Sequence, residues 1–116
     1  MYLAIDIGGT KTLAATLTNE GVITESVKFP TPKDYKEFKK QLKETLQGFK
    51  HQEFKACGVG LPVTDFDRER GVAIVFGNLP WQMVPIQKDI EKIVGMPVAM
   101  NNDAKLAALS EAMLLK

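Results

Sequence analysis

Cysteine is almost missing from this sequence. Cys57 is the single example in 116 residues, which excludes an internal disulfide and a multi-cysteine zinc site within the chain. It also leans the expectation toward a reducing compartment. Charge of one sign is missing too. A formal net charge of +1 gives no bulk electrostatic basis for binding nucleic acid or a membrane surface. No apolar run approaches the roughly 20 residues of a membrane span. The opening Met-Tyr-Leu-Ala-Ile-Asp has neither a basic segment ahead of an apolar stretch nor a small-residue cleavage site. No signal peptide is therefore expected, and the expected location is cytoplasmic. Histidine occurs once, as His51, at the end of a lysine-rich segment and without a recognisable carboxylate or serine partner, so it reads as solvated. What remains, 45% apolar and 25% charged residues, is the composition of one globular domain over residues 1–116 with a real core.

Hydrophobic periodicity orders that domain. Residues 2–7 (YLAIDI) are apolar on both faces, as in a central strand. Residues 12–18 and 22–29 read as two further strands, joined by a turn at Asn19-Glu20-Gly21, before Pro30 and Pro32 interrupt. Between Pro32 and Phe49 the period changes: Tyr35, Phe38, Leu42, Leu46 and Phe49 form one helical stripe. Lys36, Lys39, Lys40 and Lys43, interleaved with Glu37 and Glu44, form its solvated face. Residues 55–61 read as a buried strand, with Cys57 as a small core residue. A charged turn follows at Asp65–Arg70, with a possible short strand at Val72–Phe76. A helix over 85–94 has Pro85 at its start and Gly95 just past its end. Residues 97–100 make a last strand, and 102–115 an Ala- and Leu-rich helix. The order βββαβαβα predicts an α/β domain with a mixed five-stranded sheet and helices on both faces.

The chemistry concentrates in loops at one sheet edge. In "AIDIGGTKT", Asp6 ends a central strand, and Gly8, Gly9, Thr10 and Lys11 follow. Ligands of α/β sheets bind beyond the carboxyl ends of parallel strands. Glycines bring backbone N–H groups close to phosphate oxygens, and Thr10 and Lys11 add a hydroxyl and a positive charge. A carboxylate beside them tolerates phosphate when a divalent cation lies between. The spacing is neither a Walker A loop nor a dinucleotide fingerprint. Asp6 and the two glycines alone read as a tight hairpin with a solvated acid; the flanking Thr10-Lys11 and the later loops favour a Mg-nucleotide phosphate site.

"GLPVTDFD" (60–67) follows a parallel strand on the same edge, and "FGNLPW" (76–81) places Asn78 and Trp81 on an irregular segment. Trp81 reads as a packed anchor more than a sugar-stacking platform. In "MNNDAKLAALSEA" (100–112), Asn101 or Asn102 reads as a helix N-cap with Asp103 in the first turn. Asp103 has two readings that stay open here. One is an ordinary helix-opening acid. The other is a carboxylate aimed at a substrate hydroxyl, with Asn102 fixing the same substrate. Phosphoryl transfer needs a positioned late proton acceptor more than a strong base.

Taken together, "AIDIGGTKT", "GVGLP", "GNLPW" and "PVAMNNDAKLAALSEA", in this order and spacing, resemble the amino-terminal half of the ROK sugar-kinase family. That family belongs to the actin-like ATPase superfamily, whose lobes have a ribonuclease H-like fold. The resemblance implies an ATP-dependent kinase that moves the γ-phosphate to a hexose hydroxyl, at C6 for a glucose-like sugar, with ATP and Mg²⁺ as cofactors. It assigns Asp6 to Mg²⁺, through water, and to phosphate; Gly8, Gly9, Thr10 and Lys11 to the first phosphate loop; Asn78 and Asn102 to sugar hydroxyls; and Asp103 to the catalytic base. Two positions depart from the family pattern: Val63 stands where glycine is usual, and Asn101 where an acid is usual.

Family members carry a second lobe with another phosphate loop, most adenosine contacts and commonly a zinc site. This chain therefore reads as one lobe: a fragment, a truncated product or half of a split enzyme. It is expected to be catalytically poor alone, with exposed apolar surface where the missing lobe packs and a tendency to self-associate. Two alternatives remain. A ribonuclease H-like nuclease of the Holliday-junction-resolvase type would use Asp6 and Asp103 as metal ligands, but it needs a third carboxylate. A non-catalytic sugar-binding or regulatory lobe would lack the helix-turn-helix that the family's repressors place before the kinase-like part.

Overall fold

The structure, a computed structural model, describes residues 1–61, 65–67, 69–76, 79–101 and 103–114, with the side chains of 65, 66, 73–76 and 110–114 left out of the description. The apolar hexapeptide Tyr2–Ile7 becomes β1, buried on both faces except at Asp6. β2 (Lys11–Leu17) and β3 (Ile23–Pro30) extend it by antiparallel pairing. β4 (Ala56–Gly60) and β8 (Val98–Asn101) add to its other side in parallel. The resulting sheet is mixed and five-stranded, as the sequence predicts, and its order is β3-β2-β1-β4-β8.

Side-chain alternation along β1 sorts the two faces. Leu3, Ile5 and Ile7 point into the larger core, where α1 (Tyr35–Gln47) buries Phe38 and Leu42 and α2 (Ile86–Val94) buries Ile86 and Ile90. Asp34 caps α1 through its side chain, which accepts the Lys36 N–H at 3.3 Å. Gly95 ends α2 in the left-handed conformation that an L side chain resists. Tyr2 and Ala4 face the other way, with Leu17 and Ala56, against Ala104 and Ala108 of α3 (Ala104–Leu114). Helices thus cover both faces.

α3 lies unusually close to the sheet. A Cβ built on Gly58 would overlap the Ala108 amide nitrogen and sit 2.5 Å from the Ala104 carbonyl oxygen. The glycines of β4 and the alanines of α3 let helix backbone rest on strand backbone.

Three expectations need correction. First, 64–81 is not a turn, one strand and an irregular segment: β5 (Asp65–Asp67), β6 (Val72–Phe76) and β7 (Leu79–Val84) form a separate antiparallel sheet in that order. β7 is legible only once its buried residues are known, because Pro80 interrupts its pattern while Leu79 and Trp81 dock in the main core. Second, Pro30 does not end β3 from outside; it is the last strand residue, opposite Lys11. β3 is an edge strand of the sheet, where a missing N–H costs little. Third, Asn101 belongs to β8, so it does not cap the following helix.

Candidate phosphate and sugar site

Register places the site. Asp6 pairs with Gly60, and Gly60 with Asn101, so one row crosses the carboxyl ends of three parallel strands. Asp6 is exposed on the α3 face of that row. A Cβ on Gly60 would fall 2.7 Å from the Ala104 amide nitrogen and 3.0 Å from Asp6 Oδ1. The missing side chain is what lets the start of α3 and the Asp6 carboxylate converge.

Asp103 immediately precedes α3 and caps it: its Oδ1 accepts the Leu106 N–H at 3.0 Å, and its carbonyl accepts the Ala107 N–H at 3.0 Å. This corrects the expectation that Asn101 or Asn102 is the cap and that Asp103 sits inside the first turn; the helix starts later than composition suggests. Asp6 and Asp103 line one cavity of about 200 Å³, with Lys105 beside them and Ala4, Leu13 and Leu17 in its apolar wall. The Asp6 carboxyl titrates above its ordinary value of 3.8, first because the crevice desolvates it and second because Asp103 adds a like charge. Among the described residues neither acid forms a salt bridge.

The Gly8–Lys11 loop is a closed turn. The Gly8 N–H donates to the Lys11 carbonyl at 2.9 Å, and a Cβ on Gly8 would meet that oxygen at 2.8 Å. The Gly8 amide therefore holds the loop shut rather than pointing outward. Neither Gly8 nor Gly9 has a positive φ, so close approach, not handedness, explains the first glycine. Thr10 and Lys11 are exposed, and Lys11 is the first residue of β2 rather than part of the loop.

Asn78 and Asn102, expected at sugar hydroxyls, lie outside the described residues, as does Val63. Trp81 packs rather than offering a stacking platform. It is 2% exposed, its Nε1–H donates to the Lys33 carbonyl at 2.8 Å, and its ring meets Tyr35 edge-on at 5.2 Å and Phe38 at 4.7 Å. Tyr35 in turn donates to Asp89 at 2.8 Å, and burial together with that bond holds its hydroxyl well above the ordinary range. His51 is exposed and Cys57 fully buried, as expected of both. Sequence reasoning missed Thr12 and Thr31, two buried threonines behind the first loop. Their signal is faint: a hydroxyl near the start of one strand and another just past the end of the next.

The mixed five-stranded sheet with helices on both faces matches the fold of an actin-like ATPase domain. The crystal structure of a ROK family glucokinase from Streptomyces griseus, in complex with glucose and AMPPNP, superposes with a TM-score of 0.75 at 28% identity, over 87% of this chain and 32% of that one. The glucokinase of Streptomyces coelicolor is 32% identical over 112 residues, and the N-acetyl-D-glucosamine kinase of Vibrio atlanticus 36% identical over 121 residues. The ROK family model matches residues 2–116, and the chain belongs to the ROK family. It spans 35% of the glucokinase's length and 38% of the N-acetyl-D-glucosamine kinase's, while 96% and 97% of its own length is matched. No described helix is long and apolar enough to cross a membrane.

Proposed function

We propose that residues 1–116 form the amino-terminal lobe of an ATP-dependent hexose kinase that transfers the γ-phosphate to a sugar hydroxyl. The observation that carries this reading is the meeting of Asp6 and Asp103 on one cavity at the carboxyl edge, in a chain of the ROK family. Asp103 is the proton acceptor for the sugar hydroxyl. Its Oδ1 is fixed by the helix cap, which orients the carboxylate. Asn78 and Asn102 hold neighbouring sugar hydroxyls. Asp6, Gly9, Thr10 and Lys11 face the phosphates, with Gly8 closing the turn behind them.

The donor set suits Mg²⁺: hard carboxylate oxygens, no salt bridge to either acid among the described residues, and an Asp6 whose raised carboxyl a nearby positive charge would ionise more readily. When bound, Mg²⁺ supplies the charge neutralisation that lets Asp6 and phosphate share one edge. Asp6 would hold it, through water.

Relatives named for glucose and for N-acetyl-D-glucosamine both match this chain, and a glucose-like hexose is the substrate class we favour. A second lobe is the expected source of the remaining nucleotide and sugar contacts, so turnover by this lobe alone should be poor. A nuclease would need a third carboxylate, and no cluster of three or more metal-ligating side chains occurs among the described residues.

Calorimetric titration with glucose, N-acetyl-D-glucosamine and Mg-AMPPNP tests the reading, with Asp103→Asn alongside. Asparagine caps a helix about as well as aspartate, so this variant removes the carboxylate while sparing the fold. Weak sugar binding that falls in Asp103→Asn supports the assignment. A folded wild-type chain that binds neither sugar nor nucleotide, or that binds branched DNA selectively, overturns it.

A further inference from the structure

The segment between β3 and α1 is tied to the phosphate-side loop by three contacts. The Thr31 hydroxyl donates to the Gly8 carbonyl at 2.8 Å, and the Thr31 N–H donates to the Thr10 carbonyl at 2.9 Å. Thr31 Oγ1 also lies 2.7 Å from Thr12 Oγ1. Proton bookkeeping fixes the direction of that pair. A carbonyl cannot donate, so the single Thr31 hydroxyl proton goes to Gly8, and Thr12 must donate to Thr31. The result is a directed relay, Thr12 O–H to Thr31 O–H to Gly8 C=O. Thr12 is fully buried and Thr31 nearly so, so water competes poorly for these groups.

The segment is itself held at its far end. The Lys33 carbonyl accepts the Trp81 indole N–H, and Asp34 begins α1 as its cap. Thr31 is thus presented to the loop from a fixed support. Both backbone polar groups of Gly8 are then committed, its N–H to Lys11 and its carbonyl to Thr31.

We infer that Thr31 is a positioning residue for the phosphate-side loop: with Thr12 behind it, it sets the shape that Gly8–Thr10 presents to an anionic ligand. The ligand part rests on the kinase-lobe reading; the loop-shaping part does not. Thr31 touches neither phosphate nor sugar and acts through Gly8 and Thr10.

The test compares Thr31→Val, which keeps the shape and deletes the relay, with Thr31→Ser, which keeps the hydroxyl. Amide hydrogen exchange is followed residue by residue, and Mg-AMPPNP and Mg-tripolyphosphate are titrated by NMR. In Thr31→Val, exchange at the Gly8 amide is expected to rise at least tenfold, while Ile5 and Val59 in the central strands change less than about twofold. Affinity for both phosphate probes is expected to fall three- to tenfold, with Thr31→Ser close to wild type. Unchanged Gly8 exchange in Thr31→Val overturns the inference. So does an equal rise in loop and core, which would mark a purely structural role, or wild-type phosphate affinity in Thr31→Val. Absence of phosphate binding by the wild-type chain overturns the ligand part and counts against the kinase-lobe reading, while the exchange data still decide the loop-shaping part.

Discussion

Replacing Gly58 by alanine should be among the most damaging single-methyl additions this chain can suffer. The added carbon would overlap the Ala108 amide nitrogen, with the Ala104 carbonyl oxygen at 2.5 Å and the Ala107 carbonyl carbon at 2.7 Å. All three are backbone atoms, so no rotamer change relieves the clash. Restoring contacts of about 3.4 Å requires α3 to move outward by about 1 Å. A gap of that size forfeits a quarter to a half of each dispersion contact across the interface. Overpacking of this kind costs about 1–3 kcal/mol, and we place Gly58→Ala near the top, at about 3 kcal/mol. For a domain of this length that is a fall in Tm of roughly 10 °C. Gly48→Ala is the control: Gly48 has φ −82°, and its nearest neighbour to an added Cβ is the Thr45 carbonyl oxygen at 3.4 Å. There a smaller unfolded-state entropy should leave stability unchanged or raise it by about 0.5 kcal/mol. Urea unfolding of both variants measures the difference. A Gly58→Ala protein within about 0.5 kcal/mol of wild type would refute the backbone-on-backbone account of how α3 sits.

Met83 has φ 54° and is 58% exposed, so Met83→Asn relieves left-handed strain and loses little burial; a gain of about 1 kcal/mol is expected by thermal melting. Burial pushes the Cys57 thiol up to about 12, so the native protein should resist aromatic disulfide reagents and react fully once unfolded in urea. The Asp6 carboxyl is raised in the native state, so it holds its proton more tightly folded than unfolded, and its stability contribution declines as pH rises from 3.8 through the native value and stays lost above it. Asp6→Asn should therefore unfold at a higher urea concentration than wild type near pH 7, with the gap closing at about pH 3, where both states are protonated; a gap independent of pH would show that desolvation and Asp103 are not the cause.

What could be read in advance, and what could not, follows from the range of the forces involved. β1 and α1 are legible because burial imposes a period: apolar residues through Ile7 interrupted only at Asp6, and the Tyr35-Phe38-Leu42 stripe that meets Leu3 and Ile5 in the core. The second sheet is not, because β5 spans only Asp65–Asp67 and β7 contains Pro80; their pairing comes from contacts that no local pattern records. The cap of α3 turns on a shift of one or two residues. "Asn-Asn-Asp" offers three acceptable caps in a row, and it is the extension of β8 through Asn101 that selects Asp103. Asp6 is legible as a residue near the end of a central strand, yet its partner in the cavity depends on Gly60 being too small to keep α3 away.

That dependence joins the stability of the fold to the geometry of its candidate site. The Gly58 and Gly60 faces that seat α3 also bring the Ala104 amide and the Asp103 carboxylate to the Asp6 edge. A methyl group at Gly60 would press on the Ala104 amide nitrogen and on Asp6 Oδ1 at once. It should loosen the helix and separate the two acids in one step, lowering the Asp6 pKa toward its ordinary value, first as the crevice opens to water and second as the Asp103 charge recedes. NMR titration of the Asp6 carboxyl in Gly60→Ala reads that coupling directly. An Asp6 pKa that stays raised while the helix packing weakens would show that neither the burial of Asp6 nor its nearness to Asp103 depends on the closeness of α3 to β4.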